Sequence, residues 1–211
     1  MKIEKMTIHR ALTELKTLDA RIHSAIDDGV FITANKRSNI KINGKTIEEH
    51  QGVIQGSYDK VISLIERRNI IKSAIVDSNA KTYITVAGKE MTVAQAIERK
   101  TSIQYEEIFL DRLKASYAQA VAHVNRENEM LEQKLEAYLH AVLGNKDTAK
   151  KEDIELHTQS YMDRNEYELI DPISLKEKIE KLEEEIHDFK AEVDAVLSES
   201  NATTFIFDDE E

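Results

Sequence analysis

The chain has 211 residues, contains no cysteine and carries a formal net charge of −11, with one third of its residues charged. The lack of cysteine excludes disulfides, thiol nucleophiles and Cys-ligated zinc. The length suits one or two domains, and one proline with six glycines leaves room for long, uninterrupted helices.

The charge is unevenly distributed along the chain. Residues 151–211 hold 6 Lys+Arg against 20 Asp+Glu, whereas the first 150 residues hold 23 against 20. An acidic surface repels phosphate backbones, so we expect no general nucleic-acid binding. No apolar run is long enough for a membrane span, and the N-terminal residues lack the apolar stretch of a signal peptide. We therefore expect a cytoplasmic protein.

A first helix and a hairpin are predicted at the start of the chain. Over residues 7–28 apolar side chains recur at spacings of three and four, which is typical of one buried helix face. A β-branched and aromatic run at 30–33 predicts a strand. The Asn43-Gly44 dipeptide after a second alternating run is a strong signal for a hairpin turn.

The second helix is predicted to begin at a capping box. Thr46 and Glu49 have the required spacing, in which the threonine hydroxyl and the glutamate carboxylate satisfy each other's backbone N–H groups. The helix should reach about Ser78. Gly52 and Gly56 weaken its first turns, and this predicts a break there.

The end of the second helix recurs at the end of the chain. Residues 78–84 read SNAKTYI and residues 200–206 read SNATTFI. Asn79 and Asn201 are predicted to close their helices, because asparagine tolerates the left-handed conformation found after many helices. Since recurring units usually pack on their own copies, we expect the strands that follow different helices to meet in one small sheet, within a chain or between chains.

A third, very long helix is predicted from the capping box of Thr92 and Gln95 to Leu143, with Gly144 as its terminator. Fifty residues span roughly 75 Å, a length typical of a coiled-coil arm. The distal apolar stripe of this helix outruns the other helices and predicts a seam between subunits, formed by Leu131, Leu135, Tyr138 and Val142.

The acidic third of the chain contains the most regular pattern. Residues 145–165 are polar and are predicted to form a loop with one short helical turn, followed by a strand at 167–170. Ser174 and Glu177 give a third capping-box pattern. The helix that follows carries apolar residues from Leu175 onward in alternating steps of four and three, the pattern of a heptad seam.

These patterns predict a mainly α fold, a helical bundle with a long antiparallel coiled-coil arm and small β-hairpins at the helix ends. Residues 1–124 and 165–207 should form the bundle core with its hairpins, 125–164 the projecting arm and loop, and 208–211 an acidic tail. Because the seam has no predicted partner within the chain, we expect a homo-oligomer.

Parts of the chain resemble the septicolysin-like family of small helical bacterial proteins. The Asn-Ala-x-Thr endings of two helices and a Gly-x-x-x-Thr-x-x-x-Ala-Ile step carry the resemblance, which covers the stretches 11–22, 75–99, 165–175 and 196–206. The chain is longer than the family pattern, with additions at 30–46 and over much of 125–164. The resemblance implies a mostly helical oligomer, of the longer kind that we expect in bacteriophage genomes.

No pattern of catalytic residues is present. The chain lacks Gly-x-Ser-x-Gly, a Walker phosphate loop and Gly-x-Gly-x-x-Gly. The single Glu184-x-x-His187 pattern falls short of the two pairs that a carboxylate-bridged metal centre needs. We therefore expect no enzyme, no cofactor and no metal. The favoured hypothesis is a non-catalytic, homo-oligomeric interaction and assembly protein.

Basic residues on two helices and the hairpin support a second hypothesis, a protein that sequesters a small phosphorylated ligand such as a nucleotide signal. The residues that would line the site are Lys45, Arg67, Arg68, Lys72, Arg99 and Lys100. The alternative is that these side chains pair with acids across helix surfaces. The family name adds a third hypothesis, a membrane-active protein.

Overall fold

The computed structural model describes residues 4–144 and 149–207, and it confirms the mainly α fold with small hairpins. The described residues form five helices, α1 (Ile8–Asp27), α2 (Ile47–Lys81), α3 (Val93–Leu143), α4 (Lys151–Asn165) and α5 (Leu175–Thr203). Short strands lie between them: β1 (Met6–Thr7), β2 (Lys41–Ile42), β3 (Lys45–Thr46), β4 (Tyr83–Val86), β5 (Lys89–Thr92) and β6 (Phe205–Ile206). The predicted tail at 208–211 lies outside the described residues.

The strands pair in three separate antiparallel sheets of two strands each, within the residues described. β2–β3 and β4–β5 are hairpins, and each is closed by two residues of positive φ, Asn43-Gly44 and Ala87-Gly88. Positive φ at both central residues defines the type I′ turn that suits a twisted hairpin. The prediction of one sheet is therefore wrong within the described chain, although β1 and β6, from opposite ends of the chain, do pair. A sheet between chains stays a prediction.

The β1–β6 pair has the same register as the β4–β5 hairpin. Phe205 faces Thr7 in the first pair as Tyr83 faces Thr92 in the second. The sequences agree on both strands of each junction: SNATTFI at 200–206 with SNAKTYI at 78–84, and MTIHRAL at 6–12 with MTVAQAI at 91–97. The chain therefore builds one junction twice, once inside a hairpin and once by joining its two ends.

Equivalent backbone hydrogen bonds close both junctions. The N–H of Ile8, the first residue of α1, donates to the carbonyl of Thr204 at 2.9 Å. The N–H of Val93, the first residue of α3, donates to the carbonyl of Thr82 at the same distance. Each bond satisfies one of the N–H groups that a helix start leaves without an intrahelical partner.

Threonine caps three of the helices. The hydroxyls of Thr7, Thr46 and Thr92 each accept a hydrogen bond of 3.1–3.2 Å from the backbone N–H three residues later. At Thr46 and Thr92 the box is reciprocal, because Glu49 and Gln95 accept from the threonine's own N–H at 2.6 and 2.8 Å. These caps fix where α1, α2 and α3 begin.

Asn79 and Asn201 do not close their helices, and that prediction is wrong. Both lie inside a helix, and neither has a positive φ. Each helix continues for two further residues and is followed by Thr82 or Thr204, whose N–H bonds to the carbonyl four residues earlier. Because the chain passes straight into a strand, the residue after the helix must be extended, and β-branched threonine favours that conformation.

α2 runs without the break predicted near Gly52 and Gly56. A Cβ atom at either glycine would meet nothing within 4 Å, so neither is a point of close approach. These glycines lower the helix propensity of the exposed first turns without interrupting them.

Residues 151–165 form helix α4, where the sequence predicts a loop with one short helical turn. The part of that predicted loop at 145–148 lies outside the described residues. Glu152 and Asp153 in its first turn and Arg164 in its last turn complement the helix dipole, a charge pattern that favours a helix. The predicted strands at 30–33 and 167–170 are also wrong, because neither segment has a strand partner and neither adopts regular secondary structure.

The chain divides into two compact units, Met1–Thr101 with Phe189–Glu211, and Ser102–Asp188. The boundaries fall within α3 and α5, whereas the sequence had placed them at 124 and 165. In the first unit α1 packs on α2, and α1 buries one heptad-spaced stripe made of Ile8, Ala11, Leu15, Leu18, Ile22 and Ala25. Leu12 and Ile26, two other apolar residues of this helix, are exposed.

In the second unit the distal part of α3 contacts α4 and the segment after it. Tyr138 stacks on Tyr161 with ring centroids 4.6 Å apart, and Asn128 bonds to Tyr167, so the two stretches run antiparallel. Leu131 is buried and Leu135 is half-buried. The predicted subunit seam is therefore wrong: of its four residues only Val142 is exposed, because the chain covers the stripe itself.

Ser174 does not cap α5. Its φ of 53° is left-handed, whereas an N-cap residue is extended. The carboxylate of Asp171 accepts the N–H of Leu175 at 2.8 and 3.0 Å, and its Oδ1 also accepts the N–H of Ile173 at 3.3 Å. Asp171 thus takes the capping role, and its charge suits a helix N-terminus.

This reassigned cap gives a paired prediction. We expect Asp171→Ala to lower the free energy of unfolding by about 1 kcal/mol through loss of the cap. Ser174→Gly should raise it by about 1 kcal/mol, because glycine adopts a positive φ without strain. Urea denaturation followed by circular dichroism at 222 nm measures both. A loss of stability in Ser174→Gly would contradict the assignment.

Candidate interaction surfaces

Two of the basic residues predicted to bind an anion form ion pairs between helices. Arg67 Nε donates to Glu14 Oε1 at 2.5 Å, and Arg68 Nε donates to Asp19 Oδ1 at 2.6 Å, so both arginines join α2 to α1. The hydrogen bond to Glu14 raises the pKa of Arg67 above its ordinary value, although burial opposes the shift. These two arginines therefore stabilise helix packing.

The other four basic residues do not complete a ligand site. Lys100 pairs with Asp194 of α5, and the Arg99 guanidinium lies 4.5 Å from the centroid of the Phe189 ring. Lys45 and Lys72 are exposed, but they lie on either side of 25 helical residues, which span roughly 37 Å. No small ligand can contact both ends of that distance, so the six predicted residues do not line one site.

One stretch of α3 has an inverted polarity pattern. Tyr105, Ile108 and Phe109 are 69%, 65% and 57% exposed, whereas Glu106 and Glu107 between them are half-buried and engaged in interactions. The opposite side of the same helix buries its apolar residues as expected. α3 is therefore apolar on two sides here, and only one side is covered. We call Tyr105, Ile108 and Phe109 the α3 face.

The α3 face borders an apolar groove of about 270 Å³ in the second unit. Phe109 and Leu113 of α3 form one wall, and apolar residues at the start of α5 form the other. Its rim carries both signs of charge, from Lys178, Lys181 and Glu185. Grooves with apolar walls and a mixed polar rim are typical of surfaces that bind another protein.

The residues that lead from α4 to α5 lack regular secondary structure but are held in place. The side-chain amide of Asn128 donates to the carbonyl of Tyr167 and accepts its N–H, both at 2.9 Å. His123 makes an edge contact with the Tyr167 ring, and Asp171 anchors the other end by capping α5. Between these anchors Ile170 is 92% exposed, the largest exposure among the apolar residues described.

A second irregular segment precedes the first hairpin. Asn35 and Asn39 bond to each other through their side chains, and the N–H of Asn39 donates to the carbonyl of Lys36. Ile32 and Ile40 in this segment are 86% and 81% exposed. The segment is therefore a closed loop that presents apolar side chains to solvent.

The described part of the chain has neither a metal-binding cluster nor a membrane-spanning helix. No group of three or more His, Asp or Glu side chains is placed to hold a metal ion among those residues. None of the helices described has a stretch long and apolar enough to cross a membrane.

No family model, curated protein or solved structure matches this chain. The resemblance to the septicolysin-like family therefore stays a prediction.

Sequence reasoning missed the α3 face and the role of Asn128. The spacing of apolar residues was a sequence signal for the face. Tyr105, Ile108 and Phe109 lie on a different side of the helix from Ile103 and Leu110, which are buried. Two apolar stripes on one helix predict two partners. Asn128 is a polar residue within the apolar seam of α3. Its side chain is needed there because it bonds to the backbone of Tyr167, 39 residues away in sequence.

The ion pairs of α2 provide a graded prediction. The Arg67–Glu14 side chains are 25% and 23% exposed, whereas those of Arg68 and Asp19 are 39% and 49% exposed. We expect a double-mutant cycle to neutral residues to give a coupling energy of about 1 kcal/mol for the first pair and under about 0.5 kcal/mol for the second. Equal coupling energies would contradict the structural role of Arg67.

Proposed function

We propose that this chain is a non-catalytic interaction protein that assembles with copies of itself through the α3 face. The observation that carries the proposal is the inverted polarity of α3. Glu106 and Glu107 are half-buried, whereas Tyr105, Ile108 and Phe109 are exposed. In a chain that covers its own distal α3 stripe, an uncovered stripe of this kind indicates a partner outside the chain.

The charges around the groove favour a second copy as the partner. In a two-fold contact both subunits present the same surface. Such a surface pairs its charges only if it carries both positive and negative groups. The groove rim meets this condition, because it carries Lys178, Lys181 and Glu185. Lys181 and Glu185 already face each other at 4.0 Å within the chain, so a two-fold contact would extend this pairing. Its charges can therefore pair across a two-fold axis without any other protein.

The apolar gain is of the size that an oligomer needs. Complete burial of such a side chain contributes about 1.5–3 kcal/mol, and these three are already about one third covered. Three side chains from each of two copies then contribute on the order of 10 kcal/mol. The cost of association is of the same order, so the groove residues are required for a stable contact.

We expect the double substitution Ile108→Glu/Phe109→Glu to dissociate the assembly, because it places four charges in a two-fold contact. Sedimentation velocity at tens of micromolar measures the change. The parent protein should sediment above the 24.1 kDa of one chain, and the variant should sediment closer to it with an unchanged helical circular dichroism signal.

Val76→Glu is the matched control, since it places a charge at an apolar side chain of α2 that is 58% exposed. The control should sediment like the parent. A parent protein that sediments as a single chain at tens of micromolar would show that the α3 face has no self-partner.

A further inference from the structure

Two exposed stretches of this chain carry opposite charge. The basic segment, residues 30–45, contains four Lys or Arg and no acid. The acidic segment, residues 166–173, contains three Asp or Glu and no base. Every residue of 30–41 and of 166–173 is classed as exposed in the described part of the chain.

Both segments combine charge with exposed isoleucine. Ile32 and Ile40 of the basic segment are 86% and 81% exposed, and Ile170 of the acidic segment is 92% exposed. Isoleucine is among the residue types most often buried, and here the exposed isoleucines lie in segments whose charges all have one sign. Lys36 and Arg37 lie between the two isoleucines of the basic segment in sequence, and Lys41 directly follows Ile40.

The backbone of the acidic segment is ordered by hydrogen bonds to side chains on both sides of it. Asn128 bonds to both backbone groups of Tyr167, and the carboxylate of Asp171 accepts the N–H of Leu175. These bonds fix the backbone on both sides of Leu169-Ile170. A segment that is ordered before it binds loses less conformational entropy on association.

The basic segment is ordered as well. The Asn35–Asn39 pair closes its loop, and the type I′ turn at Asn43-Gly44 closes the hairpin that follows. His50 of α2 bonds to the carbonyl of Ile42 at 2.9 Å and attaches this hairpin to the helix.

We propose that the acidic segment of one copy docks on the basic segment of the next. The proposal rests on the proposed function for its partner, a second copy of this chain, and adds a second contact. Opposite charges can pair while the exposed isoleucines are buried together. The net charge of −11 disfavours the other surface that a basic and apolar segment could bind, an anionic membrane.

The two segments are different surfaces, so the contact joins copies head to tail. Head-to-tail contacts continue from copy to copy and close into a ring or extend as a filament. Together with the two-fold contact of the α3 face, they produce assemblies larger than a dimer. Because exposed ion pairs are screened, the larger assemblies should be lost at about 0.5 M salt.

A charge swap tests the contact. One variant carries Lys36→Glu/Lys41→Glu, and the other carries Glu166→Lys/Glu168→Lys. Each alone should lose all species above the dimer in sedimentation velocity at low salt. An equimolar mixture should regain them, because each reversed segment then meets an oppositely charged segment on the other variant. Lys16→Glu/Arg21→Glu on exposed α1 positions is the control with the same charge change, and it should behave as the parent.

The outcomes separate the two proposals. A parent that is a dimer at every salt concentration, or a mixture that does not regain the larger species, overturns the head-to-tail contact alone. A dimer that persists at about 0.5 M salt in Ile108→Glu/Phe109→Glu overturns the α3 contact alone. A parent that is always a single chain overturns both. Binding to phosphatidylserine vesicles that is lost in Lys36→Glu/Lys41→Glu, without any change in assembly, would assign the basic segment to a membrane surface.

Discussion

The hydrogen bond from Ile8 N to Thr204 O holds the start of the first helix to the end of the last. Its counterpart from Val93 N to Thr82 O does the same for the two central helices. Each bond fixes where a helix begins relative to the helix that ends beside it, and a threonine cap one residue earlier sets the direction of the new helix. The β1–β6 junction also contributes Met6, Ile8 and Ile206 to the buried core between α1 and α2.

The sequence predicted this structure where the signal was local. The capping boxes at Thr46 and Thr92 depend on residues three apart, and Gly144 closes α3 with a positive φ as a helix terminator should. Predictions failed where distant residues decide. Asn79 resembled a helix terminator, but the strand that pairs with β5 requires an extended residue directly after α2. The stripe at Leu131 and Tyr138 has no partner in the structure predicted from the sequence, because the sequence predicts a loop where α4 lies.

The candidate surfaces were harder to predict than the fold for a related reason. A heptad stripe indicates that a helix face will be buried, but it does not say by what. The Leu131 stripe is covered within the chain, whereas Tyr105, Ile108 and Phe109 are not. Whether an apolar stripe is covered within the chain depends on the arrangement of the neighbouring helices. The same holds for Arg67, whose charge reads as an anion site in the sequence and is an ion pair with Glu14 in the structure.

Whether the α3 face is covered in solution can be measured on the unmodified chain. Hydroxyl-radical footprinting compares the oxidation rates of Tyr105 and Phe109 at nanomolar protein and at tens of micromolar. Tyr83 in β4, which is 65% exposed and lies outside the α3 face, is the internal reference. We expect the rates at Tyr105 and Phe109 to fall several-fold with concentration while the rate at Tyr83 stays constant. Rates that do not change with concentration at any of the three positions would contradict self-assembly through the α3 face.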